Sequence, residues 1–106
     1  MNKRLADLAS VIRSKNASPF EITVDVIFPD AATYEHVKNS GILTRELIAE
    51  IYGVAASEVS STHFFDAALA FKANVVRRVS SGSVGDRDVF GAQQHVPLLG
   101  VSIPMG

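Results

Sequence analysis

The residues best equipped for chemistry fall in one stretch, Ser81-Gly82-Ser83-Val84-Gly85-Asp86-Arg87-Asp88-Val89-Phe90-Gly91-Ala92-Gln93-Gln94-His95. Three glycines, two carboxylates, an arginine, two amides and an imidazole lie within it. Gly82 and Gly85 let the backbone turn sharply and present amides at the start of a following helix, an arrangement that holds carboxylate or phosphate. Arg87 would add positive charge there, while Gln93, Gln94 and His95 would orient a ligand through hydrogen bonds. The competing account is a connector in which Asp86 or Asp88 caps the next helix. The spacing is not that of a nucleotide-binding P-loop. Ser81 or Ser83 with His95 and an aspartate would supply the parts of a hydrolytic triad, but without the strained turn that exposes the nucleophile.

A second polar cluster is Arg13-Ser14-Lys15-Asn16, which follows an apolar pattern and so reads as the end of a helix. Its cations could grip an acidic ligand or an acidic patch on a partner, or merely complement the helix dipole. The histidines are His36, His63 and His95, and no pair has the i, i+4 spacing of a helical zinc site. His36 reads as solvated and His63, beside Phe64 and Phe65, as a hydrogen-bonded structural residue. A metal centre assembled from Asp86, Asp88 and His95 is not favoured, and no metal or cofactor is expected.

The elements that position these groups follow from periodicity. Leu5, Leu8, Ala9 and Ile12 fall at helical spacing and predict a helix over residues 3–14. Phe20, Ile22, Val24, Val26 and Phe28 alternate with Glu21, Thr23 and Asp25, which predicts a strand with one buried and one polar face. Asp30 is placed to cap a helix ending at Gly41, with Tyr34 and Val37 inward, and Thr44 to cap a second one ending at Gly53. Strands are predicted over 58–65 and 68–79, then a short helix over 88–95 that stops before Pro97, then a strand through Leu99, Val101 and Ile103. Glu21, Thr23, Asp25, Lys72 and Asn74 would share one sheet face if their strands lie together. After an extra N-terminal helix, the order βαββαβ predicts an α+β domain of ferredoxin-like plan: a four-stranded antiparallel sheet with helices on one face.

Composition sets the bounds. The 106 residues suit a single domain over 1–106, with 47% apolar and 20% charged residues. No apolar run approaches the ~18 residues of a membrane span, and the N-terminus lacks the apolar core of a secretory signal. With no cysteine, a cytoplasmic location is expected. Ten basic against eleven acidic residues argue against nucleic-acid binding.

Several segments carry a resemblance: Leu8-Ala9-Ser10-Val11-Ile12-Arg13-Ser14-Lys15-Asn16, Leu43-Thr44-Arg45-Glu46-Leu47, Tyr52-Gly53-Val54, and Ser81-Gly82-Ser83-Val84-Gly85-Asp86 running on to Gly91-Ala92-Gln93-Gln94-His95. Together they resemble the small bacterial domains of the domain of unknown function 4387 family, over essentially the whole chain. Such domains occur beside, or fused to, proteins of the acyclic terpene utilisation (AtuA) type. The resemblance implies a small accessory subunit of an AtuA-like metabolic protein, and on that expectation the 81–95 stretch and Arg13–Asn16 form a ligand or interface surface. The alternative is a free-standing lyase or hydratase for a carboxylate or acyl-thioester substrate, with Asp86, Asp88 or His95 as acid–base groups. A homo-oligomer that binds a metabolite without chemistry is the third possibility.

Overall fold

A computed structural model describes residues 1–18, 20–76 and 96–105. The elements run β1 (Asn2–Arg4), α1 (Leu5–Leu8), β2 (Val11–Ser18), β3 (Glu21–Ile27), α2 (Ala31–Ser40), α3 (Arg45–Tyr52), β4 (Val59–Phe65), β5 (Ala70–Val76), α4 (Val96–Leu99) and β6 (Ser102–Pro104). The chain is α+β. Its main sheet has four antiparallel strands in the order β2-β3-β5-β4, and β1 pairs with β6 in a separate two-stranded ribbon.

The N-terminal segment differs from its sequence pattern. The helix predicted over 3–14 is a single turn at Leu5–Leu8, after which Ala9 is extended and the chain enters β2. The Ser10 backbone N–H and hydroxyl both donate to the Ile27 carbonyl, at 2.8 and 3.0 Å, and fix where the hairpin begins. Val11 then pairs with Ile27, and the ladder continues to Asn16 opposite Ile22 before a bulge precedes the Ser18–Glu21 pair. Apolar residues at 5, 8, 9 and 12 satisfy helical spacing, yet Leu5 and Ile12 reach the same core from two different elements. Tertiary pairing overrides so short a local signal.

This changes the topology from the ferredoxin-like plan. The strands β3, β5 and β4 are successive neighbours, and the other side of β3 is taken by β2 rather than by the C-terminal strand. The C-terminal strand instead joins β1, with Lys3 opposite Ile103. The segment predicted as a helix over 88–95 lies outside the described residues. Just beyond it, α4 includes Pro97, which a first helical turn accommodates because amides there have no intrahelical acceptor, so proline's missing N–H forfeits no bond.

The two longer helices follow their caps. Asp30 accepts from the Thr33 amide at 2.8 Å and Thr44 from the Leu47 amide at 3.1 Å. Both helices end on glycines in the left-handed region, Gly41 at φ 70° and Gly53 at φ 67°. The β4–β5 connection turns through Asp66–Ala68 and closes on Leu69, whose φ of 52° places a leucine where glycine is usual.

One face of the main sheet carries the core. Ile22, Val24, Val26 and Phe28 from β3 and its end, Phe71, Ala73 and Val75 from β5, and Val59 from β4 pack with Tyr34, Val37, Ile48, Leu98 and Ile103. Tyr34 meets Phe28 and Phe64 edge-on, each with centroids 6.0 Å apart, and Phe64 lies 4.9 Å from Phe71. Edge-to-face rings of this kind add specific geometry to area burial. Among the described residues, no helix is long and apolar enough to cross a membrane.

Candidate functional site

The other face of the sheet is polar, and the strand register arranges it in rows. Arg13 on β2, Asp25 on β3, Lys72 on β5 and His63 on β4 stand side by side across the four strands. The next row is Lys15, Thr23, Asn74 and Ser61. On the opposite flank, Val11, Ile27, Ala70 and Phe65 form an apolar row. Residues two apart along a strand share a face, so each row repeats the same side.

Asp25 is the centre of the charged row. Its side chain is only 2% exposed, whereas Arg13 and Lys72 are 60% and 45% exposed. Arg13 Nε donates to Asp25 Oδ2 at 3.1 Å, and Lys72 Nζ lies 3.7 Å from Oδ1, an ion-pair distance too long for a hydrogen bond. Oδ1 is buried, with no hydrogen-bond partner among the described residues. Long cationic side chains cover neighbouring surface with their aliphatic stems while their heads remain in water. That accounts for a buried carboxylate on the polar face of a sheet.

The surrounding groups are ordered by each other. Thr23 Oγ1 donates to Asn74 Oδ1 at 2.5 Å, and Asn74 Nδ2 donates to Ser61 Oγ at 2.9 Å. The Ser60 hydroxyl donates to Glu21 Oε2 at 3.1 Å. Lys72 Nζ also sits 5.9 Å from the centre of the Phe65 ring, so it is bracketed by a carboxylate and an aromatic face. His63 is exposed, and its ring meets that of Phe65 at a tilt of 57° with centroids 5.8 Å apart.

The Arg13–Asn16 quartet is divided between the two faces of the sheet. In a strand its members alternate: Arg13 and Lys15 project from the polar face, while Ser14, 8% exposed, turns toward the core and Asn16 shares its side. Arg13 and Lys15 therefore complement no helix terminus. Ser81, Gly82, Ser83, Gly85, Asp86, Asp88, Gln93, Gln94 and His95 lie outside the described residues.

The family model described as Domain of unknown function (DUF4387) matches residues 5–102. The chain belongs to that family. No curated protein and no solved structure matches it. The matched span takes in every residue of the charged row, Arg13, Asp25, Lys72 and His63.

Two other polar groupings have structural roles. Lys38 Nζ donates to Asp66 Oδ1 at 2.9 Å, and the Tyr34 hydroxyl donates to the same oxygen, tying α2 to the β4–β5 turn. Burial, with Asp66 alongside, pushes the Tyr34 hydroxyl up to about 12, and burial likewise raises that of Tyr52. The Tyr34 hydrogen bond, then Lys38, holds Asp66 below the usual carboxylate range. His36 Nε2 donates to the Pro104 carbonyl at 2.7 Å beside a shallow depression of about 400 Å3 that Asn39 and Ser40 complete. Among the described residues, no three of His, Cys, Asp or Glu come together in a way that would hold a metal ion.

The signal for the charged row was present in the sequence as the polar positions of two alternating strands. Lys72 and Asp25 were recognisable as sharers of a face. Arg13 was not, because its segment carries helical spacing, and His63 joins the row only through the β4–β5 register.

Proposed function

We propose that this domain is an accessory subunit of a larger metabolic protein of the AtuA type and binds it through the polar face of its main sheet. The accessory role draws on the resemblance to domains found beside or fused to AtuA-like proteins. The observation that carries the binding surface is the charged row, in which one buried carboxylate, Asp25, holds Arg13 while Arg13 and Lys72 keep their heads half exposed. A carboxylate that orients an arginine through Nε leaves the two terminal nitrogens of the guanidinium free to face outward, the geometry that suits bidentate carboxylate recognition. Lys15 adds a further exposed cation to the same face. The 81–95 stretch, with its glycines, Asp86, Asp88 and His95, would serve the complex as a ligand-binding or interface loop, for a small carboxylate or acyl-thioester.

The test is co-purification from the native host with a tagged chain, followed by mass spectrometry. Stoichiometric recovery of an AtuA-type protein supports the reading. Recovery of the chain alone, with turnover of a carboxylate or thioester substrate that His95→Ala abolishes, would replace it with the free-standing enzyme.

A further inference from the structure

The row pattern specifies more than a location. We infer that the polar sheet face docks an amphipathic, acidic element of the partner chain, whose carboxylates meet Arg13, Lys15 and Lys72 while its apolar side covers Val11 and Phe65. This inference rests on the accessory reading above and adds the chemistry of the surface that fits.

Three observations carry it. First, the exposed charge on the face is positive. Asp25 is buried against Arg13 and Lys72, and Glu21 is half-buried and engaged by Ser60, which leaves the Arg13, Lys15 and Lys72 heads outward. Second, apolar side chains adjoin that charge in register: Val11 is 42% exposed and Phe65 44% exposed, at the two edge strands of a row whose centre is Ile27 and Ala70. Ala70 is buried and Ile27 half-buried, so the exposed apolar surface lies at the two ends of the row, beside the cations; arginine and aromatic side chains are common anchors where protein surfaces meet. Third, Asp25 Oδ1 is buried and has no hydrogen-bond donor among the described residues. A carboxylate held this way positions the cations above it rather than offering itself to the partner.

Charge complementarity decides the occupant. A second copy docked face to face would set Arg13, Lys15 and Lys72 against the same cations, with no exposed carboxylate in the three rows to meet them. Like charges juxtaposed across an interface oppose association, whereas an acidic partner surface is drawn in. The partner is therefore a different surface carrying carboxylates.

The experiment is lysine acetylation of the chain, free and in the presence of the AtuA-type protein of the same host, read residue by residue by mass spectrometry. Acetylation of Lys15 and Lys72 is expected to slow on the order of tenfold in the complex, while Lys3 on β1 and Lys38 on α2 react as in the free chain. Lys15→Glu, an exposed change with little bearing on folding, is expected to weaken the complex on the order of tenfold. Lys72→Gln weakens it too, and Arg13→Lys retains part of the affinity. A complex that forms with Lys15 and Lys72 reacting as before, and with Lys15→Glu binding normally, overturns this face while leaving the accessory reading intact. Absence of any complex overturns both. Concentration-dependent protection of Lys15 and Lys72 in the purified chain alone, with a dimer by light scattering, would assign the face to a second copy and overturn the acidic partner.

Discussion

Arg13 and Lys72 approach the same buried carboxylate from the two strands that flank it, Arg13 Nε at 3.1 Å from Asp25 Oδ2 and Lys72 Nζ at 3.7 Å from Oδ1. The two cations are far apart in sequence and become neighbours only because β3 lies between β2 and β5. Asp25 separates them and gives each a fixed counter-charge. The triad carries one net positive charge, and the heads of its cations are half in water.

This arrangement predicts a measurable coupling. Arg13→Ala removes the Nε donor to Oδ2 and leaves the carboxylate to Lys72, which is expected to cost about 1–3 kcal/mol. The exposure of Arg13 places the loss toward the lower end. Adding Asp25→Ala to Arg13→Ala is expected to cost less than the sum of the single changes, by about 0.5–3 kcal/mol. Urea unfolding of the four chains measures it, and strict additivity would show that the pair acts independently.

The Tyr34–Asp66–Lys38 cluster makes stability depend on pH in two windows. Asp66 is held below its ordinary value, so its contribution is complete above about pH 4 and is lost as pH falls through its folded value. Tyr34 is raised to about 12, so its contribution is complete below about pH 10 and is lost as pH rises toward 12. Lys38 is raised chiefly by its bond to Asp66 and acts in the same alkaline direction as Tyr34. Thermal melting of wild type and Asp66→Asn across pH should show a shallower acid limb in the variant, and Tyr34→Phe a shallower alkaline one. Parallel curves for all three would show that the cluster contributes nothing to linkage.

The helix boundaries are open to direct test. Thr44→Ala removes the acceptor for the Leu47 amide and is expected to cost about 1 kcal/mol. Gly53→Ala meets open space but must hold φ near 67°, so strain alone is expected to cost about 1–2 kcal/mol. Gly53→Asn should cost less, since asparagine tolerates that region. Chemical denaturation ranks the three, and an alanine at 53 as stable as glycine would refute the conformational argument.

Closure of the termini is as much a part of the core as the main sheet. Ile103 is fully buried on β6 and pairs with Lys3, and the Leu5 amide donates to the Val101 carbonyl at 2.7 Å. Ile103→Ala is expected to lose about 2–5 kcal/mol. Removal of the residues after Gly100 should abolish cooperative unfolding, which calorimetry would detect. A sharp transition in the truncated chain would make the terminal ribbon dispensable.

Local chemistry in the sequence was sufficient for the caps at Asp30 and Thr44, the stops at Gly41 and Gly53, and the two-faced character of β3, because each depends on residues within one turn or one alternation. It also brought Thr23 and Asp25 to the same face as Lys72 and Asn74, since alternation fixes a side once the strands are neighbours. The N-terminal segment was different. Leu5, Leu8, Ala9 and Ile12 satisfy a helical stripe as well as they satisfy a turn followed by an edge strand, and the choice was made by hydrogen bonds from Ser10 and the rest of β2 to β3.

The sequence by itself therefore determined which residues face the core and which the polar side along β3 and β5, where the longer helices begin and end, and that the domain is α+β. Only the tertiary structure decided that β2 rather than the C-terminal strand borders β3, and with it that Arg13 stands beside Asp25 and Lys72. Side-chain alternation is a property of one strand and is visible locally. Strand order depends on which edges find each other in space, and no spacing within a single segment records it.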